Sequence, residues 1–339
     1  MVGQDRQESP LRYLVRGMRS EGWEVSCVNP DEFFLRPPGF TGRLLQRATH
    51  RLSWAGVSHA IMEKAAAIDP DLVLGIKSLP LSPGRRAQLR ARGAKLALWY
   101  PDVSFDHGAA VRDTLFHEID LFATSKHFHL PYLAEQRPQL ATTLVEHGYC
   151  DDVHYPIQPP GEADFDVGYV GNYSPHKHAA LTALAEARPA LTIAVSGHGW
   201  RADGRWRVFP ALVGEEMARF LSRAKIALAV HYGPHGSHGW EDTTSARTFE
   251  IPACGGFMLH PDNEEVRRYF HPDREIGVFK DLADIAAQAD YWLADDGRRA
   301  AAAAQARARA RPAYSYSERG RRLARWLIDQ GAAARVCAG

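Results

Sequence analysis

FDVGYVGNYSPHKHAAL, residues 165–181, reads as an apolar strand, a sharp turn and a capped helix in direct succession. Phe165 to Val170 is an apolar run of strand length. Gly171 and Asn172 suit a tight turn, Ser174 can cap the helix that follows, and Pro175 stands at its first position. A strand that hands over to a helix in this way is the repeating unit of a parallel α/β sheet. The alternation continues downstream, with strands expected at Leu191 to Ser196, Lys225 to Val230, Phe257 to His260 and Ile276 to Phe279. A helix near residues 282–293 carries Leu282, Ile285, Ala286, Ala289 and Leu293 on one face, and Arg298 to Arg311 reads as an Ala/Arg helix with solvated arginines.

An earlier series precedes it. Ser9 and Pro10 open a helix whose Leu11, Leu14, Val15 and Met18 share a face, and Gly22 ends it. Strands are expected at Trp23 to Val28, Leu72 to Ile76, Lys95 to Tyr100, Leu121 to Thr124 and Thr143 to Val145. A nucleotide-binding half normally begins with a strand before its first helix. Only Met1, Val2 and Gly3 stand there, so that strand is a stub, begins upstream, or is lost. His147 to Asp166, with Pro156, Pro159 and Pro160, interrupts the alternation and reads as a linker between two α/β halves. The chain closes with a helix striped by Leu323, Trp326 and Leu327.

Bulk properties narrow the class. A length of 339 residues suits about two domains. Apolar residues at 45 % and charged residues at 24 % exclude a disordered chain and a disulfide miniprotein. Lys plus Arg is 41 against 40 for Asp plus Glu, so no bulk charge draws the chain to nucleic acid. Cys27, Cys150, Cys254 and Cys337 form no CxxC, no signal-type segment opens the chain, and no stretch has the length of a spanning helix. These features point to a cytoplasmic protein with free thiols.

The chemistry concentrates in three loops after strands of the second half, where open α/β sheets bind ligands. The turn after Val170 offers Gly171, Asn172, Ser174 and Lys177 at a helix N-terminus, a setting that favours an anion. The loop after Ser196 offers Gly197, His198 and Gly199. The loop after Val230, HYGPHGSHGWEDTTSARTFEIPACGG, supplies Asp242, Thr243, Thr244, Ser245, Arg247 and Glu250. Hydroxyls, glycine N–H groups and an arginine near a helix start are what a diphosphate needs, and a carboxylate a turn or two later can accept from a ribose diol. His231, His235 and His238 raise zinc, but no cysteine or carboxylate signature accompanies them, and no metal is assigned. The chain has no G-x-S-x-G, no P-loop and no full G-x-G-x-x-G, so hydrolase, NTPase and NAD readings have no support.

SARTFEIPACGGFMLHPDNEEVRRYF resembles the donor-binding segment of GT-B glycosyltransferases, most closely the CgeB-like, spore-maturation type of the group-1 enzymes. The resemblance rests on an S-x-R-x-F-E-x-x-A-C-G core, here Ser245, Arg247, Phe249, Glu250, Ala253, Cys254 and Gly255. FDVGYVGNYSPHK, VEHGYCDDVHYPI and YSYSERGRRLARWL resemble further segments of that family, and together the likeness spans about residues 140–330. The family's E-x7-E pair stands here as Asp242 and Glu250, or Glu241 fills the first place with a one-residue offset.

The resemblance implies two Rossmann-like domains facing across a cleft: an acceptor domain at 1–155, a donor domain at 156–312, and a closing helix at 313–339 that crosses back. It implies a retaining, metal-independent transfer from a nucleoside-diphosphate sugar to an acceptor hydroxyl, with no separate cofactor. The acceptor is a glycan, lipid, protein or small molecule. Lys177 and Arg247 would neutralise the diphosphate, and Asp102, in WYPDVSFDH, would orient or deprotonate the acceptor. Glu250 would hold the ribose, and its removal would leave the melting temperature of the free protein nearly unchanged. A silent sugar-nucleotide or glycan binder and a sugar-nucleotide epimerase are the alternatives on the same fold.

Overall fold

A computed structural model describes residues 1–34, 39–106, 118–157, 163–234 and 236–332. The chain divides into two compact units. The first comprises Met1–Glu146, Gly236–His238 and Arg319–Gly339; the second comprises His147–His235 and Gly239–Glu318.

The first unit holds four parallel strands in the order β1-β2-β3-β4: β1 Leu72–Ile76, β2 Lys95–Tyr100, β3 Leu121–Thr124 and β4 Ala141–Leu144. LVLGI and KLALWY are continuous apolar runs because a parallel strand is covered on both faces. Val2 occupies the expected first-strand position. Val2 bridges Gly75 on one side and Val28 on the other, donating to the Leu74 carbonyl at 2.8 Å and accepting from the Ile76 N–H at 2.8 Å. Of the expected strand from Trp23 to Val28, only Val28 makes a bridge among the described residues, to Val2.

Helices of this unit are α1 Pro10–Ser20, α2 Gly39–Ile68, α3 Pro83–Ala91 and α4 His129–Gln136. Ser9 caps α1 by accepting from the Leu11 N–H at 3.3 Å, and Leu11, Leu14, Val15 and Met18 are buried as their spacing predicts. The final helix, α11 Tyr316–Asp329, contributes Arg319 onward to this unit. Its Leu323 and Leu327 are fully buried, while Trp326 is only half-buried. A Cβ on Gly320 would lie 2.3 Å from the Leu14 carbonyl oxygen, so only glycine permits this approach to α1. Arg319 and Arg322 converge on Glu146 at 3.3 and 3.0 Å, which satisfies that buried carboxylate.

The second unit holds six parallel strands in the order β10-β9-β8-β5-β6-β7. They are β5 Phe165–Val170, β6 Ile193–Ser196, β7 Arg207–Phe209, β8 Ala224–Leu228, β9 Met258–Pro261 and β10 Gly277–Phe279. Around them lie α5 Pro175–Ala187, α6 Gly214–Ser222, α7 Ala246–Ala253, α8 Glu264–Tyr269, α9 Ile285–Leu293 and α10 Asp296–Ala310. β7 gives no apolar signal in the sequence, since it is a three-residue edge strand with Arg207 and Val208 exposed. Helix α10 buries Ala302, Ala303, Ala306 and Ala310 along one face. Three of its arginines are engaged rather than solvated. Arg298 pairs with Asp295 at 3.4 Å and donates to the Tyr291 carbonyl at 3.1 Å. Arg299 pairs with Asp296 and donates to the Trp292 carbonyl at 2.5 Å, and Arg309 pairs with Glu275 at 2.7 Å. Residues 158–162 of the expected linker, with Pro159 and Pro160, lie outside the described residues, as do His235 and Cys337. Cys27, Cys150 and Cys254 are free thiols.

Candidate functional site

Local folding places the first cation. Ser174 caps α5 by accepting from the Lys177 N–H at 3.4 Å, and Pro175 opens the helix. Lys177 therefore sits in the first turn, and its chain folds back toward the end of β5. The ammonium donates to the Asn172 carbonyl at 3.2 Å and lies 3.5 Å from the ring centroid of Tyr232. Burial pulls the Lys177 pKa down to about 8; the Asp242 carboxylate opposes that pull and the Arg247 guanidinium adds to it.

The second cation comes from α7. Ser245 caps this helix, and a reciprocal bond from its own N–H to the Thr248 hydroxyl, at 3.2 Å, completes a capping box. Arg247 follows within the first turn. Its Nε–H donates to the Val170 carbonyl at 3.0 Å, tying α7 to the end of β5, and its guanidinium pairs with Glu250. Glu250 is not a helix-start glutamate. It lies a turn inside α7, 7 % exposed, against Arg247 and 3.9 Å from His154 Nε2. His154 Nδ1 accepts from the Cys150 N–H at 2.9 Å, so its proton sits on the nitrogen that faces Glu250. Burial, with Arg247 and Arg311 nearby, holds the His154 pKa down at about 3, so the ring is neutral. The pair with Arg247 bears on the expectation that removing Glu250 leaves the melting temperature of the free protein nearly unchanged. Removing it would strand a largely buried guanidinium.

The remaining expected donors behave differently. The turns after β5 and β6 lock together: the His198 N–H donates to Asn172 Oδ1 at 3.1 Å, the Tyr173 N–H to the His198 carbonyl at 2.9 Å, and the Trp200 indole to the Gly171 carbonyl at 2.8 Å. Gly197 has φ +147°, and a Cβ there would fall 2.2 Å from the Gly171 oxygen, so this join requires glycine. The Gly171 N–H is spent on the Ser196 carbonyl at 2.9 Å, and Gly199 lies against Tyr173. These residues build the frame of the site rather than offer donors from it.

Thr243 and Thr244 both turn their hydroxyls onto Glu265, the latter at 3.0 Å, while Asn263 Nδ2 donates to the Thr243 carbonyl at 3.0 Å. Asp242 is buried, and its N–H donates to the Tyr232 carbonyl at 3.0 Å. Glu241 stands outside this core, exposed and 3.9 Å from His176.

Asp102 belongs to the first unit, where it pairs with Lys77 at 2.5 Å. The three histidines separate. His231 Nε2 meets His260 Nε2 at 2.8 Å, His238 packs on Tyr132 and Phe105 in the first unit, and His235 lies outside the described residues. No group of three metal-ligating side chains gathers among the described residues.

Tyr232, His154 and Glu265 escaped sequence reading. Tyr232 follows β8 within the loop already singled out, so its position carried a signal that its type did not. Glu265 and His154 act through partners far off in sequence, which no local pattern reveals.

Residues 177–325 match the family model described as glycosyl transferase-like, a span that takes in Lys177, Arg247 and Glu250. The fold is GT-B, an α/β architecture with two Rossmann-like parallel sheets. Sucrose-phosphate synthase from Thermosynechococcus elongatus superposes with a TM-score of 0.66 at 14 % identity, covering 98 % of each chain. HepE from Anabaena, solved with UDP, gives 0.64 at 13 % identity over 97 % of this chain and 98 % of its own. A glycosyltransferase from Rickettsia africae gives 0.66 at 11 % identity over 97 % and 98 %. A search of the curated proteins returns no match. No helix among the described residues is long and apolar enough to cross a membrane.

Proposed function

We propose that the chain is a glycosyltransferase that moves a sugar from a nucleoside-diphosphate sugar to an acceptor hydroxyl, with retention at the anomeric carbon and without a divalent metal. One observation carries the reading. Lys177 and Arg247, from two different helices, converge beside the end of β5, and burial disfavours the charge of each. Two desolvated cations held close together repel each other and favour a dianion. A departing nucleoside diphosphate is such a dianion, and the pair does the work a metal ion would do elsewhere. Glu250 then serves twice, orienting Arg247 and accepting from the ribose hydroxyls.

Asp102 is the candidate for orienting the acceptor hydroxyl, and attack on the same face the diphosphate leaves needs no enzymatic nucleophile. The likeness of the S-x-R-x-F-E-x-x-A-C-G core to CgeB-like enzymes belongs to this reading. HepE has been crystallised with UDP-glucose, so uridine-diphosphate sugars are the first donors to test. The test is mass spectrometry of products from a donor and acceptor panel with EDTA present. A glycoside plus free nucleoside diphosphate is expected. Conversion of the donor sugar alone would establish an epimerase, binding without turnover a silent binder, and rescue of an EDTA-inactivated enzyme by Mn2+ a metal-dependent transfer.

A further inference from the structure

Within the first unit, β1 and β2 lie side by side and parallel, with Ile76 opposite Trp99, so the residues that leave their carboxyl ends are neighbours. Lys77 follows β1 directly and Asp102 stands two residues after β2. Carboxyl ends of parallel strands are where open α/β sheets take ligands. The loop that carries Asp102 is fixed from behind: the Ser125 hydroxyl donates to the Pro101 carbonyl at 2.9 Å, and the Tyr100 hydroxyl to the Ser104 carbonyl. Lys77 stands at φ +68°, and its N–H donates to the Trp99 carbonyl at 2.8 Å. That left-handed region suits glycine and tolerates aspartate, and the other two non-glycine residues found there among the described residues are Asp69 and Asp273. The backbone does not favour a lysine at that place, so the reason for one lies in its side chain. Asp102 Oδ2 is closed to solvent with Lys77 Nζ at 2.5 Å, while the Lys77 side chain is 54 % exposed and that of Asp102 26 %. Asp102 Oδ1 makes no hydrogen bond with a described residue, and the Lys77 ammonium pairs with no second acid among them.

We propose that Lys77 and Asp102 together bind a vicinal diol, so that the acceptor is a sugar or another polyol whose attacking hydroxyl has a second hydroxyl beside it. A carboxylate only accepts and an ammonium only donates, whereas a hydroxyl does both. One hydroxyl of the diol donates to Asp102 Oδ1 while the oxygen of its neighbour accepts from Lys77 Nζ. A lone hydroxyl, on a serine side chain or a fatty alcohol, leaves one of the two partners unmet. A phosphate or carboxylate fits worse, because Asp102 already balances the Lys77 charge and repels a second anion there. Calling the diol an acceptor rests on the transfer reading; its binding at Lys77 and Asp102 does not.

Saturation-transfer NMR on the full chain detects contact without turnover. The probes are the methyl glycosides of glucose, galactose and mannose, with N-acetylserine amide as the lone hydroxyl. At least one glycoside is expected to show saturation and the serine amide none. Lys77→Met and Asp102→Ala should each weaken binding of that glycoside about tenfold or more, and Lys77→Arg, which keeps the charge, should recover part of the loss. With a uridine-diphosphate sugar present, Lys77→Met should raise KM for the glycoside about tenfold while kcat falls less than about threefold, a split that a merely structural lysine does not produce. A melting curve of each variant checks that it folds. Saturation of the serine amide to the level of the glycosides, no glycoside contact by the wild type, or full glycoside binding by Lys77→Met would each overturn the proposal. Glycoside contact without release of nucleoside diphosphate from any donor would keep the diol site and sink the transfer reading instead.

Discussion

Glu250 and Glu265 are equally buried, each 7 % exposed, and they serve opposite ends. Glu250 holds a cation, Arg247, at the mouth of the site. Glu265 holds two neutral hydroxyls, Thr243 and Thr244, together with the loop that carries them. A buried carboxylate facing a cation forms a charged pair that a second anion can compete for. A carboxylate facing hydroxyls fixes a loop and has nothing to exchange. Burial alone therefore does not separate a working acid from a structural one; the partner does.

The sharpest way to break this contrast is Arg247→Ala. The change removes a charge-assisted bond to the diphosphate, about 1.5–3 kcal/mol, or roughly a 10- to 150-fold loss in affinity. It also strands Glu250, at a stability cost on the order of 3–5 kcal/mol. Removing both partners in Arg247→Ala/Glu250→Ala should restore part of the melting temperature but none of the affinity. If single and double variants melt alike and both bind nucleoside diphosphate like wild type, the pair is idle.

Lys177 sharpens the same contrast through pH. Its pKa is lowered from 10.5 to about 8, so the folded state gives up the proton before the unfolded state does. The burial penalty on the folded protein is therefore complete below about pH 8 and is relieved as pH rises from 8 toward 10.5. Diphosphate affinity should move the other way and fall as pH rises through about 8, while Lys177→Met should bind weakly at every pH without melting lower at pH 7. Titration calorimetry across pH and a thermal melt check both; an affinity profile flat from pH 7 to 9 would dismiss Lys177 as a diphosphate ligand.

The smallest expected effect is Glu265→Gln. It keeps the shape and one acceptor, so stability should fall by about 1 kcal/mol and donor affinity should hold within about twofold. A large loss of affinity with unchanged melting would mean that the two threonines meet the ligand after all.

Much of the scaffold was legible because parallel strands announce themselves as apolar runs. LVLGI, KLALWY, LFAT and FDVGYV stand where their runs predict. The pattern failed where pairing rather than composition makes the strand, at Val2, Val28 and Arg207–Phe209. The places of Lys177 and Arg247 in the first turns of α5 and α7 were legible because caps and turns are local signals. The fates of Thr243, Thr244 and Gly171 were not, since a hydroxyl or an N–H shows no sign in sequence of which distant group will claim it. The same limit hid the salt link that makes Glu250 part of the fold.

The depressed Lys177 ties ligand capture to proton traffic. Near pH 8 the empty protein is a mixture of protonated and unprotonated side chains at this position. An arriving diphosphate favours the charged form, so part of the population must draw a proton from the medium as it binds. The observed heat of association would then depend on the ionisation enthalpy of the buffer, most strongly at slightly alkaline pH and hardly at all a unit or two below. The side chain buried beneath Asn172 and Tyr232 would thus make the protein's grip on a diphosphate a function of local acidity.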